Sequence, residues 1–313
     1  MGAVTGSGQI VVAAGGAGDR GLGGAGAARV AVAFLCGGAL ALSGAVVQTL
    51  FRNPLATPEL LGASSGATLG AHIALIGSVF WLGGGGGSAI LPEMLIPVGA
   101  VLGAVLSLCA LLLVLSWRED PLLLLLTGYA LSSLFLGAST FLTSVTQEAW
   151  EINRAFAALA QGDVSAAGPR QVGLVLLMAL GGAGPLWLSA DTLDVLSAGD
   201  QEARTLGVDV TQTRIWIVLW VAMLVAGAVA VGGGVGFVGL IVPHALRPWV
   251  GQRHRQLLPS VFVAGGACVV LCDVLCRIVP LRQGIPLGIF THLIGAPIFL
   301  RMLISQLRTR EQA

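Results

Sequence analysis

The sequence contains no lysine, and all 16 of its basic residues are arginine. A P-loop needs a lysine on the nucleotide phosphates, and a Schiff-base enzyme needs a lysine amine, so the chain lacks both chemistries. Charge of either sign is also scarce, since charged residues make up 10% of the 313 positions, against about 25% in soluble domains. The composition argues strongly against a water-soluble globular enzyme, and the net charge of +1 argues against a nucleic-acid partner.

The five cysteines do not show the paired spacing of a zinc site or of a secreted disulfide framework. Cys268, Cys272 and Cys276 recur at every fourth residue and would share one helix face. We interpret them as small apolar packing residues rather than as ligands of a soft metal. The sequence therefore predicts neither a metal site nor a cofactor.

Hydrophobic residues are abundant, at 56% of the chain, and the mean hydropathy is +0.91. The 46 glycines far exceed the average of about 7%, which is typical of closely packed membrane helices. Because about 20 apolar residues cross a bilayer core as a helix, we predict an all-α, polytopic membrane helix bundle. Eight spans are expected at 30–50, 60–82, 94–116, 121–144, 171–190, 214–233, 258–279 and 286–305.

The segment 235–250 is short, contains Pro243 and Pro248, and is interpreted as a ninth, irregular span broken at its prolines. With nine spans, ten arginines fall on one side of the membrane and six on the other, which favours the first side as cytoplasmic. The Gly/Ala-rich residues 1–28 have no 20-residue apolar run and no signal-peptide pattern, so we expect them to be flexible.

The first motif, SGAVVQTLFRNPLATPELLG, covers residues 43–62. Its two prolines favour extended backbone before them and predict a turn at the cytoplasmic surface. Gln48 lies one turn inside the membrane, where its amide is either a helix–helix hydrogen bond or part of a pathway lining. A strip of small residues that allows close helix packing follows, at Gly62, Gly66 and Gly70.

The second motif, LSAGDQEARTLGVDV, covers residues 196–210 on the cytoplasmic side. Asp200 is predicted to cap a short helix that carries Glu202 in its first turn and stops at Gly207. This helix is either a solvated connector or a surface that a cytoplasmic partner grips.

The third and fourth motifs cover 232–244 and 284–300. The glycines and the proline of the third motif predict a helix break, and its His244 is either a hydrogen-bonded imidazole or a proton relay. His292, in the fourth motif, lies inside an apolar run and is either functional or bonded to a neighbouring helix. Asp273 is interpreted as the partner of Arg277 four residues later, because an acid–base pair on one helix face lowers its energy in a membrane.

In these four motifs the sequence resembles the permease subunits of binding-protein-dependent ABC importers for iron chelates, haem and vitamin B12, the FecCD type. The resemblance extends in order over residues 29–305. The matching residues are Gly44, Gln48, Asn53, Pro54, Leu55, Ala56, Pro58, Leu61 and Gly62; Gly199, Asp200, Ala203, Leu206, Gly207 and Val208; Gly236, Phe237, Gly239, Leu240, Pro243, His244 and Arg247; and Pro286, Gly288, Thr291, Gly295 and Pro297.

The resemblance implies a type II ABC importer permease with ten spans, so nine to ten spans are expected. It implies a dimer with a second copy of the chain and a translocation path on the dimer axis, in the inner membrane of a bacterium. Two separate ATP-binding cassette subunits would hydrolyse ATP, so this chain would not itself be an enzyme. A periplasmic binding protein would deliver the substrate.

The resemblance also implies roles for individual residues. The coupling helix, 199–209, would sit in a cleft of the ATPase through Asp200, Glu202, Ala203, Arg204, Leu206, Gly207 and Val208. The pathway or gate would include Gln48, Asn53, Pro54, Leu55, Gly62, Gly66 and Thr291. The binding protein would dock on Arg29, Arg277, Arg154 and Arg170.

The expected organisation is a transmembrane domain over 29–305 and a cytoplasmic tail over 306–313, with residues 1–28 where the family has its first span. The expected function is import of a siderophore, haem or cobalamin by alternating access along an apolar path. No residue distinguishes these substrates, and a haem ligand would have to be His72, His244 or His292. The rival interpretations are a purely structural subunit and an ion-coupled secondary transporter that uses Asp273, His292 and His244.

Overall fold

The fold was analysed in a computed structural model of the chain. It describes residues 19–59, 61–81, 90–115, 121–146, 169–278 and 286–311, together with 153, 156–157, 160–162, 164 and 167–168. The helices in these parts are α1 Asp19–Leu50, α2 Ala63–Trp81, α3 Ile90–Leu115, α4 Pro121–Val145, α5 Pro169–Leu188, α6 Ala190–Ala198, α7 Asp200–Thr205, α8 Val210–Gly232, α9 Val238–Val250, α10 His254–Ile278 and α11 Leu287–Glu311. The predicted all-α class is confirmed, since no described residue lies in a strand.

Six helices in the described part of the chain are long and apolar enough to cross a membrane. They contain 20 to 25 suitable residues each, and a helix of 20 residues is about 30 Å long. Several also expose large apolar side chains, most clearly α4, where Leu134, Leu136 and Phe141 are each about two-thirds exposed. Such faces are stable only against lipid or another protein surface, which agrees with a multi-pass membrane protein.

The first helix begins earlier than expected. Residues 19–28 are part of α1, while residues 1–18 lie outside the described part, and the flexibility expected for 1–28 stays a prediction. Adding residues to a helix that is already packed costs little compared with nucleating one, which explains why a Gly/Ala-rich sequence continues it. At the other end, α11 continues into the predicted tail as far as Glu311.

The core is built from small-residue contacts between helices. On α2 and α3, a Cβ atom added to Gly66 would lie 2.5 Å from the carbonyl oxygen of Gly103, and Gly70 faces Gly99 in the same way. The predicted packing strip is therefore confirmed at Gly66 and Gly70. Gly62 precedes α2 with a φ of 82°, and a Cβ atom there would lie 2.8 Å from the Ser107 hydroxyl oxygen of α3, so Gly62 also allows this close approach.

The break predicted from the glycines of the third motif is confirmed, whereas the breaks predicted at the prolines of the irregular ninth segment are wrong. Both Pro243 and Pro248 lie inside α9, which is 13 residues long. The interruption precedes α9, between Gly233 and Phe237, whose φ angles are 70° and 64°. Glycine adopts such an angle without strain, whereas the two prolines remove hydrogen bonds without ending this helix.

Candidate functional site

The predicted coupling segment is a short helix with a sharp boundary at each end. Gly199, with a φ of 145°, separates α6 from the six-residue α7 and forms the N-cap of α7. The prediction that Asp200 caps the helix is wrong, because Asp200 is already its first residue and its side chain caps no backbone amide. Its carboxylate instead lies 2.8 Å from Arg214 and 3.8 Å from Arg52, so it ties α7 to α8 and to the loop after α1.

The C-terminal end of α7 confirms the predicted stop at Gly207, which has a φ of 81°. The amide of Gly207 donates to the carbonyl of Arg204, and the amide of Val208 donates to that of Ala203, both at 3.0 Å. This is the Schellman arrangement of a helix end. Ala203 is fully buried, whereas Glu202, Arg204 and Leu206 are exposed, so the helix is anchored on one side and presents the other.

The helix before the coupling segment is held by a buried histidine that sequence reasoning missed. The ring Nδ1 of His254 donates to the Asp194 carboxylate at 2.5 Å, and its backbone amide donates to the same oxygen at 3.0 Å. Its Nε2 shares a 2.6 Å hydrogen bond with the hydroxyl of Thr49. These contacts join α6, α10 and α1 over separations of 60 and 205 residues, for which the sequence contains no local signal.

At the opposite ends of α1 and α10, Asp273 is almost fully buried between two arginines. Arg277 donates to it at 2.7 Å, which confirms the predicted pair. Arg29, on α1, also donates to both carboxylate oxygens, at 2.6 and 3.1 Å to one and 3.3 Å to the other. Of the remaining predicted docking arginines, Arg170 is exposed at the start of α5 and Arg154 lies outside the described residues.

The pathway residues predicted from the sequence fall into three places. Gln48 and Thr291 meet the interruption before α9 and its first turn: the Gln48 amide donates to the carbonyl of Gly239 at 3.4 Å, and the amide of Gly236 donates to the Thr291 hydroxyl at 3.3 Å. Gly66 instead packs α2 against α3. The turn after α1 contains Asn53, Pro54 and Leu55, and Gly62 ends the loop that follows it.

Glu59 also reaches this interruption, and sequence reasoning did not single it out. Its carboxylate accepts a 2.9 Å hydrogen bond from the amide of Phe237, next to the N-terminus of α9. It lines a cavity of about 380 Å3 with His292, Tyr129 and hydroxyl groups that include that of Ser132. The available signal was that Glu59 is the only acidic residue of the first motif.

Burial raises the pKa of Glu59 to about 6, while the amide of Phe237 and the nearby His292 limit this rise. Glu59 lies in the loop between α1 and α2, outside the helices. The cavity wall therefore contains a carboxyl group that changes its charge close to neutral pH, together with several hydroxyl groups.

The residues of the predicted ion-coupled transporter contact different parts of the structure. Asp273 is paired with two arginines, and the ring Nδ1 of His292 donates to the carbonyl of Gly288 at 2.6 Å. His244 lies on α9, four residues before Pro248. His72 is buried on α2 and stacks on Phe156 at 3.7 Å between ring centroids. Within the described residues, no three His, Cys, Asp or Glu side chains form a possible metal site.

Comparison with known proteins shows the same kind of protein throughout. Residues 26–305 match the model of the FecCD transport family. The chain is 37% identical over 299 residues to the hemin transport system permease protein HmuU of Yersinia pestis, covering 91% of this chain and 82% of that one. It is 36% identical over 278 residues to the cobalamin import system permease protein BtuC of Halobacterium salinarum, covering 88% and 71%.

A solved structure of a metal-chelate type ABC transporter in an inward-facing conformation superposes with a TM-score of 0.74 at 30% identity. The match covers 88% of this chain and 85% of that one. The fold is therefore that of an ABC transporter permease.

Proposed function

Because the chain belongs to the FecCD transport family, whose members it matches along most of its length, we propose that it is the permease subunit of an ABC importer. Its substrate class is an iron chelate, haem or cobalamin. The match over residues 26–305 is the observation that carries this proposal, because it spans the membrane helices and all four motifs. The chain is a transporter subunit rather than an enzyme, and ATP hydrolysis takes place on two partner subunits.

The coupling segment supports the ATPase partner. Leu206 is 69% exposed at the end of α7, beside the exposed Glu202 and Arg204. An exposed leucine flanked by charges of both signs suits an interface with an apolar centre and a polar rim. The ion pairs of Asp200 with Arg214 and Arg52 then transmit a movement of α7 to α8 and to the loop after α1.

The opposite end of the bundle supports a binding-protein partner. Arg29, Asp273 and Arg277 form a group with one more positive than negative charge, and the Arg277 side chain is 46% exposed. Acidic side chains of a periplasmic protein would pair with these arginines, and with Arg154 and Arg170. We therefore infer that the chain lies in the inner membrane of a bacterium, with α7 in the cytoplasm.

The translocation path is expected between two copies of the chain. Only 17% of the residues in the most apolar stretch of α4 are buried, so much of its surface is available to a second copy or to lipid. The cavity at Glu59 and His292 is lined in part by α4 and α11, and we infer that it opens onto this path. Alternating access would carry the substrate past it, from the outer to the inner side.

The test is transport by the reconstituted complex of this chain with its ATPase subunits and binding protein. Vesicles should take up haem, a ferric chelate or cobalamin only when ATP is present on the side of the ATPase. Uptake driven by a proton or sodium gradient without ATP would contradict the proposal and favour an ion-coupled carrier.

A further inference from the structure

A second cavity, of about 220 Å3, lies at the end of the bundle that carries α7. It is lined by Arg52 and Arg247, by His254, and by polar groups of Gln48, Thr49 and Ser197. Unlike the cavity at Glu59, it has no carboxylate among its lining residues. Its wall is therefore cationic and rich in hydrogen-bonding groups.

The carboxylates near this cavity are already engaged. Asp194 accepts two hydrogen bonds from His254, and Asp200 is shared by Arg214 and Arg52. His254 has both ring nitrogens committed, one to Asp194 and the other to Thr49. These two carboxylates are therefore paired with His254, Arg214 and Arg52 rather than with Arg247.

Arg247 is the arginine of this cavity that takes part in none of these pairs. Its side chain is partly buried on the last turn of α9, and within the described residues no carboxylate lies within 4 Å of its guanidinium. A partly buried guanidinium without a counterion is unfavourable, because burial removes water without supplying an opposite charge. Within the described residues the charge of Arg247 is therefore unbalanced, which favours an anion as the ligand of this cavity.

The shape and depth of the site indicate the type of anion. A guanidinium presents a planar fork of donors that matches the oxygens of a phosphate group. Trp249, two residues along α9, is 88% exposed, and exposed tryptophans mark the headgroup level of a membrane. We propose that the cavity between Arg247 and Arg52 binds a phosphate group, supplied either by the headgroup of a phospholipid or by soluble phosphate.

The test uses the purified full-length chain and does not depend on transport. In one arm, delipidated protein in detergent is titrated with inorganic phosphate while its thermal unfolding is followed. In the other arm, native mass spectrometry compares protein from bilayers of phosphatidylglycerol with protein from bilayers of a phosphate-free galactolipid. Variants Arg247→Gln and Arg247→Lys are compared with Arg301→Gln, which removes an exposed arginine of α11.

We expect Arg247→Gln to weaken binding in at least one arm by about tenfold to a hundredfold, the range for losing a charge-assisted hydrogen bond. Arg301→Gln should bind like the wild type. If Arg247→Gln does not fold, Arg247→Lys should still bind, but more weakly, because lysine keeps the charge without the fork.

The two arms separate the sources of the phosphate. Retention of phosphatidylglycerol without a response to inorganic phosphate would assign the site to lipid, and the reverse result would assign it to soluble phosphate. The proposal is overturned if the wild type binds neither ligand, or if Arg247→Gln binds both as tightly as the wild type. The first of these outcomes would point to an acidic residue of a protein partner instead.

Discussion

The side-chain amide of Gln48 on α1 donates a hydrogen bond to the backbone carbonyl of Gly239 on α9, with 3.4 Å between nitrogen and oxygen. This carbonyl has no helical donor, because the residue four positions later is Pro243 and proline lacks an amide hydrogen. A membrane offers no water to replace that bond, so a neighbouring helix supplies it. In the same way, the carbonyl of Arg255 lies four residues before Pro259 and lacks a helical donor. The indole N–H of Trp187 donates a hydrogen bond to it at 3.2 Å.

The close approach of α1 and α9 depends on Gly44, one turn before Gln48. A Cβ atom at this position would overlap the carbonyl of Gly239, so Gly44→Ala should push the two helices apart. We expect a loss of about 1–3 kcal/mol, as for other overpacked sites, seen as a lower melting temperature in detergent. Gly26→Ala, in the same helix, has no neighbour within 4 Å and should not lower it; equal effects of the two substitutions would contradict this account.

The burial of Asp273 predicts an order of stability among three variants. Asp273→Asn should destabilise the most, because it leaves two arginines without their shared counterion. Arg29→Gln should follow, since the Arg29 side chain is only 24% exposed and donates to both carboxylate oxygens, and Arg277→Gln should cost the least. Melting temperatures of the three variants would test the order, and a larger loss for Arg277→Gln than for Arg29→Gln would refute it.

The exposed end of the coupling segment predicts a separation of transport from substrate capture. Leu206→Ala should reduce ATP-driven uptake severalfold while the binding protein still delivers substrate to the complex, because it removes an apolar contact at an interface. Leu177→Ala is the matched control, since Leu177 is 71% exposed in the middle of α5 and is not part of α7. If both variants transport equally well, α7 is not the coupling element.

The raised pKa of Glu59 predicts a pH dependence of stability. Between about pH 4.5 and 6, the folded chain holds a proton on Glu59 that the unfolded chain has already released. The folded state therefore binds more protons in this window, and its stability falls as the pH rises through it. Glu59→Gln keeps an oxygen for the amide of Phe237 but removes the titration.

We expect the wild type to lose more thermal stability than Glu59→Gln as the pH is raised from about 4.5 to 7. Glu202→Gln, which removes an exposed carboxylate, should keep the slope of the wild type. Identical slopes for the wild type and Glu59→Gln would contradict this account, because they would show that folding does not change the pKa of Glu59.

The features that could be predicted were those carried by neighbouring residues. The pairing of Asp273 with Arg277 follows from a spacing of four residues on one helix face. The stop at Gly207 follows from the freedom of glycine to take a positive φ. The membrane helices follow from the length of their apolar runs.

The features that could not be predicted join residues that are far apart in the chain. Arg29 binds Asp273 across 244 positions, and Glu59 reaches Phe237 across 178. The cap predicted for Asp200 failed for the same reason, because Arg214 and Arg52 compete for its carboxylate in three dimensions.

The sequence by itself determined that this is a helical membrane protein without a P-loop, with a short helix that stops at Gly207 on one side and a glycine-rich break before α9. Apolar length, helical spacing and the backbone preferences of glycine are local properties, so they can be read along the chain. Only the tertiary structure decided which polar groups share each buried site. A charge or an unpaired carbonyl in a membrane needs a partner, and packing decides which residue supplies it. The carbonyl of Gly239 is paired with the amide of Gln48, and the carboxylate of Asp273 with the guanidinium of Arg29.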